Sequence, residues 1–180
     1  MKKLLFLLVF IPLVAFGQTA EEHFNYGVKK ATKTLAKSQD FYDAIYQFTK
    51  AIELNPNYED AYFWRGKIRG YEIINKDVEG AYYSEAIKDF NKVIELNPDN
   101  AEAYFWRGRA KFNFEDYKGA IADYTKVIKL KPISFNFPSS YYERGWVKKI
   151  IGDLNGACED WNQAKKLGFV PLPEIEDYCN

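Results

Sequence analysis

Histidine is nearly missing from this chain, His23 being the only one, so a metal site built on clustered imidazoles has no ligands to draw on. Cysteine is almost as scarce: Cys158 and Cys179 stand alone, at a separation unlike any zinc-ligand spacing. Neither sign of charge dominates, with 25 Lys and Arg against 25 Asp and Glu. The chain therefore lacks the positive field from which nucleic-acid binding draws its sequence-independent attraction. Glycines do occur, but none gather into a phosphate-cradling loop. No nucleophile with its base, no carboxylate pair in a cleft and no cofactor loop is legible, and the acidic residues are spread along solvated faces. The expectation is a non-enzymatic protein with no catalytic residues, no cofactor and no metal.

The N-terminal stretch MKKLLFLLVFIPLVAFG, residues 1–17, starts with Lys2 and Lys3 and continues as an apolar run from Leu4 to Phe16. This is the pattern of a signal peptide. The run falls short of the roughly 20 residues a comfortable membrane span requires, and Pro12 interrupts it. Small residues at Ala15 and Gly17 point to cleavage before Gln18, after which no stable membrane insertion is expected. No cysteine follows the cut, which argues against a lipid anchor. Loss of the two lysines leaves 23 basic residues against 25 acidic ones, and one domain over residues 18–180 is the natural count.

Aromatic residues make up 18% of the chain, and they recur. The block AYFWRG occurs at Ala61–Gly66 and again at Ala103–Gly108, with ELNP upstream at Glu53–Pro56 and Glu95–Pro98, each pair offset by 42 residues. Glycines at Gly27, Gly66, Gly108 and Gly145 are each followed by an alanine, Ala44, Ala86, Ala120 and Ala157. A large ring follows four residues later, at Phe48, Phe90, Tyr124 and Trp161. Leu54, Leu96, Leu130 and Leu167 come next, then Pro56, Pro98 and Pro132, with Phe169 standing in the fourth proline position. The unit AEAYFWRGRAKFNFEDYKGAIADYTKVIKLKPIS, Ala101–Ser134, resembles a complete tetratricopeptide repeat of 34 residues. The offset of 42 is then 34 plus an eight-residue insertion around Gly70–Gly80.

Each unit reads as two amphipathic helices, with glycine and alanine where they cross closest. Proline ends the second helix by removing a donor and restricting the residue before it. No unit can bury its apolar face alone, so neighbours must stack. The fold predicted is all-α, an α-solenoid of four helix-turn-helix repeats at about 20–58, 59–100, 101–134 and 138–171, with a short C-terminal capping helix over 173–179. The insertion is expected to lengthen the second hairpin by close to one turn in each helix.

Arg65, Arg107 and Arg144 precede the glycines where many tetratricopeptide repeats place leucine, and Asp89, Asp123 and Asp160 precede the aromatic column. The first unit has neither, showing Tyr26 and Gln47. This joint presence or absence predicts structural ion pairs between the helices of a unit. Cys158 and Cys179 are either joined in a disulfide or left as two thiols; export favours the bond. His23 lies in a column held elsewhere by Tyr62, Tyr104 and Tyr141, which implies a packing role.

The resemblance implies an exported bacterial protein, periplasmic or secreted, that acts as a scaffold or adaptor for other proteins. It also implies that first helices line a concave groove, here with the aromatic ladder Phe24, Phe63, Phe105 and Tyr142. Beside the ladder stand Lys67, Arg109, Phe112, Trp146 and Lys149. Such a groove suits an extended protein segment with apolar and acidic side chains. On that reading, Phe105→Ala with Arg109→Ala abolishes partner capture and leaves melting intact. The lysine and asparagine combination by which some members of the family grip a chaperone's terminal carboxylate is absent from these helices. An alternative is a small-ligand or glycan receptor in which Trp64, Trp106 and Trp146 stack on sugar rings. Self-association is a further use of exposed aromatics on such a stack.

Overall fold

The computed structural model describes residues 18–34, 36–72, 79–132 and 136–169, together with Ile175, Tyr178 and Cys179. Among these are eight α-helices and no strand: α1 (Ala20–Ala31), α2 (Ser38–Leu54), α3 (Glu59–Lys67), α4 (Glu79–Leu96), α5 (Ala101–Asn113), α6 (Tyr117–Leu130), α7 (Asn136–Ile150) and α8 (Leu154–Lys166), with a π-helical turn over Ile68–Glu72. They pair as four hairpins, α1 with α2 through α7 with α8, and successive hairpins dock α2 on α3, α4 on α5 and α6 on α7. This is the all-α solenoid that the repeat columns predict. The signal peptide expected at 1–17 lies outside the described residues, as does most of the expected capping helix at 173–179.

Polar residues at the helix starts satisfy backbone donors that would otherwise lack partners. Thr19 and Glu22 form a reciprocal box: Thr19 Oγ1 accepts from the Glu22 amide at 3.1 Å and Glu22 Oε2 from the Thr19 amide at 2.8 Å. Asn100, Asp116 and Asp153 cap α5, α6 and α8 by a single side-chain bond each, accepting from the amides of Ala103, Gly119 and Gly156 at 3.0, 2.9 and 2.9 Å. Hairpin tips need a left-handed residue. The fourth unit supplies Gly152 at φ +89°, whereas the third forces Glu115 to φ +63°.

Inside each unit the small and large columns interlock. Ala44, Ala86, Ala120 and Ala157 are fully buried, and Phe48, Phe90, Tyr124 and Trp161 are at most 1% exposed. A Cβ on Gly108 would lie 2.9 Å from Tyr124, and one on Gly145 would lie 2.5 Å from Trp161 Nε1, closer than packed atoms allow. Each ring so enclosed contributes on the order of 2–3 kcal/mol of transfer free energy. Trp161 also satisfies its indole donor, giving Nε1–H to the Tyr142 carbonyl at 3.1 Å.

The insertion is absorbed unequally. Helix α4 has 18 residues against 14 in α6, so about one extra turn enters the second helix. On the other side α3 runs into the π turn instead of adding an α-helical turn. A π turn takes up one additional residue, and Ile68 at its start is 2% exposed, packed with Ala44 and Phe48. The centre of the insertion, 73–78, lies outside the described residues.

Candidate functional site: the inner face of the stack

Two classes of cation occur on the first helices. The first class is structural. Arg65 grips Asp89 through Nε–Oδ2 at 3.0 Å and Nη2–Oδ1 at 2.6 Å. Arg107 grips Asp123 at 2.8 and 2.6 Å, and Arg144 grips Asp160 at 2.8 and 2.6 Å. The three aspartates are 3–4% exposed. Each accepts a second cation from one helical turn further on: Arg69 at 2.7 Å, Lys111 at 2.9 Å and Lys148 at 2.9 Å. The free Nη1 of each arginine reaches back to the preceding unit, donating to Thr49, Asn91 and Thr125 at 3.0, 2.7 and 2.8 Å. One guanidinium thus ties two helices of its own unit and the unit before it. In the first unit, before which the described residues hold no further hairpin, His23 Nδ1 donates to Gln47 Oε1 at 2.6 Å, and Tyr26 is 44% exposed.

The second class lies between successive first helices. Direct contact runs from α5 to α7 and from α5 to the π turn, which places the first helices on the inner side of the stack. Here Lys67 Nζ stands 5.1 Å from the ring of Trp64 and 5.1 Å from that of Trp106, a neighbour in the next unit. Arg109 lies over Trp106 at 5.3 Å. Lys149 lies over Trp146 at 4.7 Å. All these side chains are half-buried. Among the described residues no carboxylate pairs with Lys67 or Lys149.

The sequence-predicted groove residues divide between this face and the core. Phe105 is 4% exposed, its ring 5.8 Å from Tyr124 and 5.7 Å from Trp106. This corrects its assignment as a groove residue: it packs on the second helix of its own unit, and removing it would damage folding as well as any binding. Phe24 and Phe63 take the same direction, at 5.7 Å from Phe48 and 6.0 Å from Phe90, though both remain half-buried. Phe112 rests 6.0 Å from Tyr117, and Tyr142 is 4.7 Å from Phe169. Lys67 and Arg109 stand with Trp64 and Trp106, and Lys149 stands with Trp146 in the fourth unit.

Two further residues of this face carry no sequence assignment. Glu143 occupies the position held by Trp64 and Trp106 in earlier units. Burial raises its carboxyl above the usual carboxylate range, with the nearby Arg109 charge pulling the other way. Tyr178 comes from the C-terminal segment, whose Cys179 is bonded to Cys158 of α8 with the Cα atoms 5.6 Å apart. Ile175 of this segment is 4% exposed against Ala157 and Trp161.

Among the described residues no group of His, Cys, Asp and Glu could hold a metal ion, and no helix is long and apolar enough to cross a membrane. What the face offers is cations steadied by rings, arranged along several helices.

Family patterns described as TPR repeat and Tetratricopeptide repeat match residues 33–70 with 82–113, and residues 101–134. No curated protein matches the chain. Among solved structures, "Crystal structure of MamA protein" is 24% identical with a TM-score of 0.68, over 83% of this chain and 73% of that one. "MamA 41-end from Desulfovibrio magneticus RS-1" is 21% identical with a TM-score of 0.69, over 83% and 75%. "First TPR of Spaghetti (RPAP3) bound to HSP90 peptide SRMEEVD" is 22% identical with a TM-score of 0.60, over 74% and 94%. At these identities the likeness is one of fold.

Proposed function

This chain belongs to the tetratricopeptide repeat family, and from that premise we propose that it is a non-enzymatic scaffold of the bacterial envelope or exterior that holds an extended, acidic protein segment along its inner face. The observation that carries the proposal is Lys67, flanked by Trp64 and Trp106 with no carboxylate partner among the described residues. Arg65, Arg69, Arg107, Lys111, Arg144 and Lys148 all contact buried aspartates. A lysine half-buried between two rings and left uncompensated is prepared for an incoming anion. That a similar fold holds a peptide supports a peptide-like occupant. The signal-like residues 1–17 support a place outside the cytoplasm. Sugar stacking would need open ring faces, and Lys67, Arg109 and Lys149 already stand over Trp106 and Trp146.

The test uses a fluorescein-labelled 12-residue peptide of alternating Glu and Phe, read by anisotropy, beside the same peptide with Lys for Glu. The acidic peptide binds with an affinity that falls as salt rises, and Lys67→Glu weakens it by about tenfold or more, since it turns attraction into repulsion at a partly desolvated site. Equal binding of the two peptides, or a Lys67→Glu variant that binds as tightly as the parent, would end the proposal.

A further inference from the structure

Lys149 repeats the environment of Lys67 at the end of the stack, with one difference in origin. The second ring beside Lys67 is Trp106, supplied by the following unit. After α8 no further hairpin follows among the described residues, yet Lys149 Nζ is 3.5 Å from the centroid of the Tyr178 ring, as well as 4.7 Å from that of Trp146. Tyr178 thus occupies the role a further unit would fill. It also lies 6.3 Å from Trp161 while staying 40% exposed, so it is both lid and surface. Its neighbour Cys179 is exposed and bonded to Cys158.

We propose that the disulfide-held C-terminus is a working part of the binding face. It completes a second ring-flanked lysine site for a carboxylate at Lys149, and reduction of the Cys158–Cys179 bond dismantles that site while leaving the one at Lys67. The inference rests on the reading of the inner face as an acceptor of acidic segments. The reductant class is a dithiol. Its thiolate attacks the exposed Cys179 sulfur, the S–S bond breaks, and Cys158 leaves as a thiolate that takes up a proton. The second thiol then resolves the mixed disulfide and frees Cys179 as a thiol. Two electrons and two protons pass to the protein, and the dithiol ends as a cyclic disulfide.

The same labelled Glu-Phe peptide tests this on the processed chain. With the bond intact, Tyr178→Ala and Lys149→Ala each weaken binding by about fivefold, the scale of one cation–ring contact with its anion. Dithiothreitol weakens the parent protein equally, and adds nothing to Tyr178→Ala. Circular dichroism confirms that reduced protein keeps its helices. If the peptide binds and requires Lys67, but reduction and Tyr178→Ala leave its affinity unchanged, the C-terminal site is overturned and the inner-face reading stands. If reduction weakens binding while Tyr178→Ala and Lys149→Ala do not, the bond acts only through stability and the inference is likewise overturned. A peptide that fails to bind the oxidised parent at all removes the inner-face reading first.

Discussion

Replacing Asp123 by alanine probes the polar spine of the stack at its most enclosed point. Asp123 is 3% exposed and accepts from Arg107 Nε at 2.8 Å, Arg107 Nη2 at 2.6 Å and Lys111 Nζ at 2.9 Å. Removing the carboxylate deletes three charge-assisted contacts and leaves two cations facing each other. Loss of one partner from a buried pair costs roughly 3–5 kcal/mol. The Arg107 and Lys111 side chains keep 15% and 17% of their surface open to water, which lets them recover part of their hydration and puts the expected loss at the lower end, about 3 kcal/mol. For a chain of this size that corresponds to a fall in Tm of about 6–12 °C. The exposed pair Lys92–Glu95, with Glu95 67% open, is the control: Lys92→Ala should cost at most about 1 kcal/mol. Thermal unfolding followed by circular dichroism at 222 nm reads both. Replacing Arg107, Lys111 and Asp123 together with apolar residues of similar volume should recover much of the loss, because no charge is then left unpaired. An Asp123→Ala Tm within a degree of the Lys92→Ala value would refute the reasoning.

Two further outcomes follow from the same geometry. Glu115 holds φ +63° at the hairpin tip where the fourth unit uses Gly152, so Glu115→Gly should gain about 0.5–1 kcal/mol, read as a higher urea midpoint with an unchanged slope; a lower midpoint would show the strain to be illusory. Burial, opposed by Arg109, raises the Glu143 carboxyl above its ordinary value of 4.5. Its stabilising contribution is present below pH 4.5 and lost as pH rises through the raised folded value. Glu143→Gln should therefore raise Tm at pH 8 and leave it unchanged at pH 4, and a gain of equal size at both values would contradict the assignment.

The fold was legible because every unit obeys one steric rule. Gly108 leaves no room for a side chain 2.9 Å from Tyr124, so a small residue, an alanine and a ring must recur together wherever a hairpin closes. Arg107 and Asp123 were legible for the same reason: they vary as a pair, and the first unit, with Tyr26 and Gln47 at those positions, lacks both. Lengths were harder. The insertion after Lys67 reads as helix, but nothing in the residues Ile68–Glu72 distinguishes an α turn from the π turn that forms there. Arg69, within that turn, reaches Asp89 at 2.7 Å much as Lys111 and Lys148 reach their aspartates from regular α-helix.

Phe105 is the groove residue read from the sequence that turns into the core. Phe105 lies three positions before Gly108, and residues three apart share a helix face. A ring at that position must point where the glycine points, toward Tyr124, and so it belongs to the core. Trp64 with Lys67, Trp106 with Arg109, and Trp146 with Lys149 are also spaced by three, but on a stripe rotated away from the glycine. The periodicity that identifies the helices therefore also separates ring columns that pack in the core from ring columns that stay half-buried on the inner face. Tyr178 obeys no column, because it reaches Lys149 from the C-terminal segment that is bonded to α8 through Cys158–Cys179 and docked through Ile175. Glu143 breaks the stripe where a third tryptophan would stand. On the proposed reading, a bound segment meets cations at Lys67, Arg109 and Lys149 and, near Arg109, the carboxyl of Glu143. Its own acidic residues must then be spaced to pass Glu143, so the face selects a pattern of charge and not net charge alone.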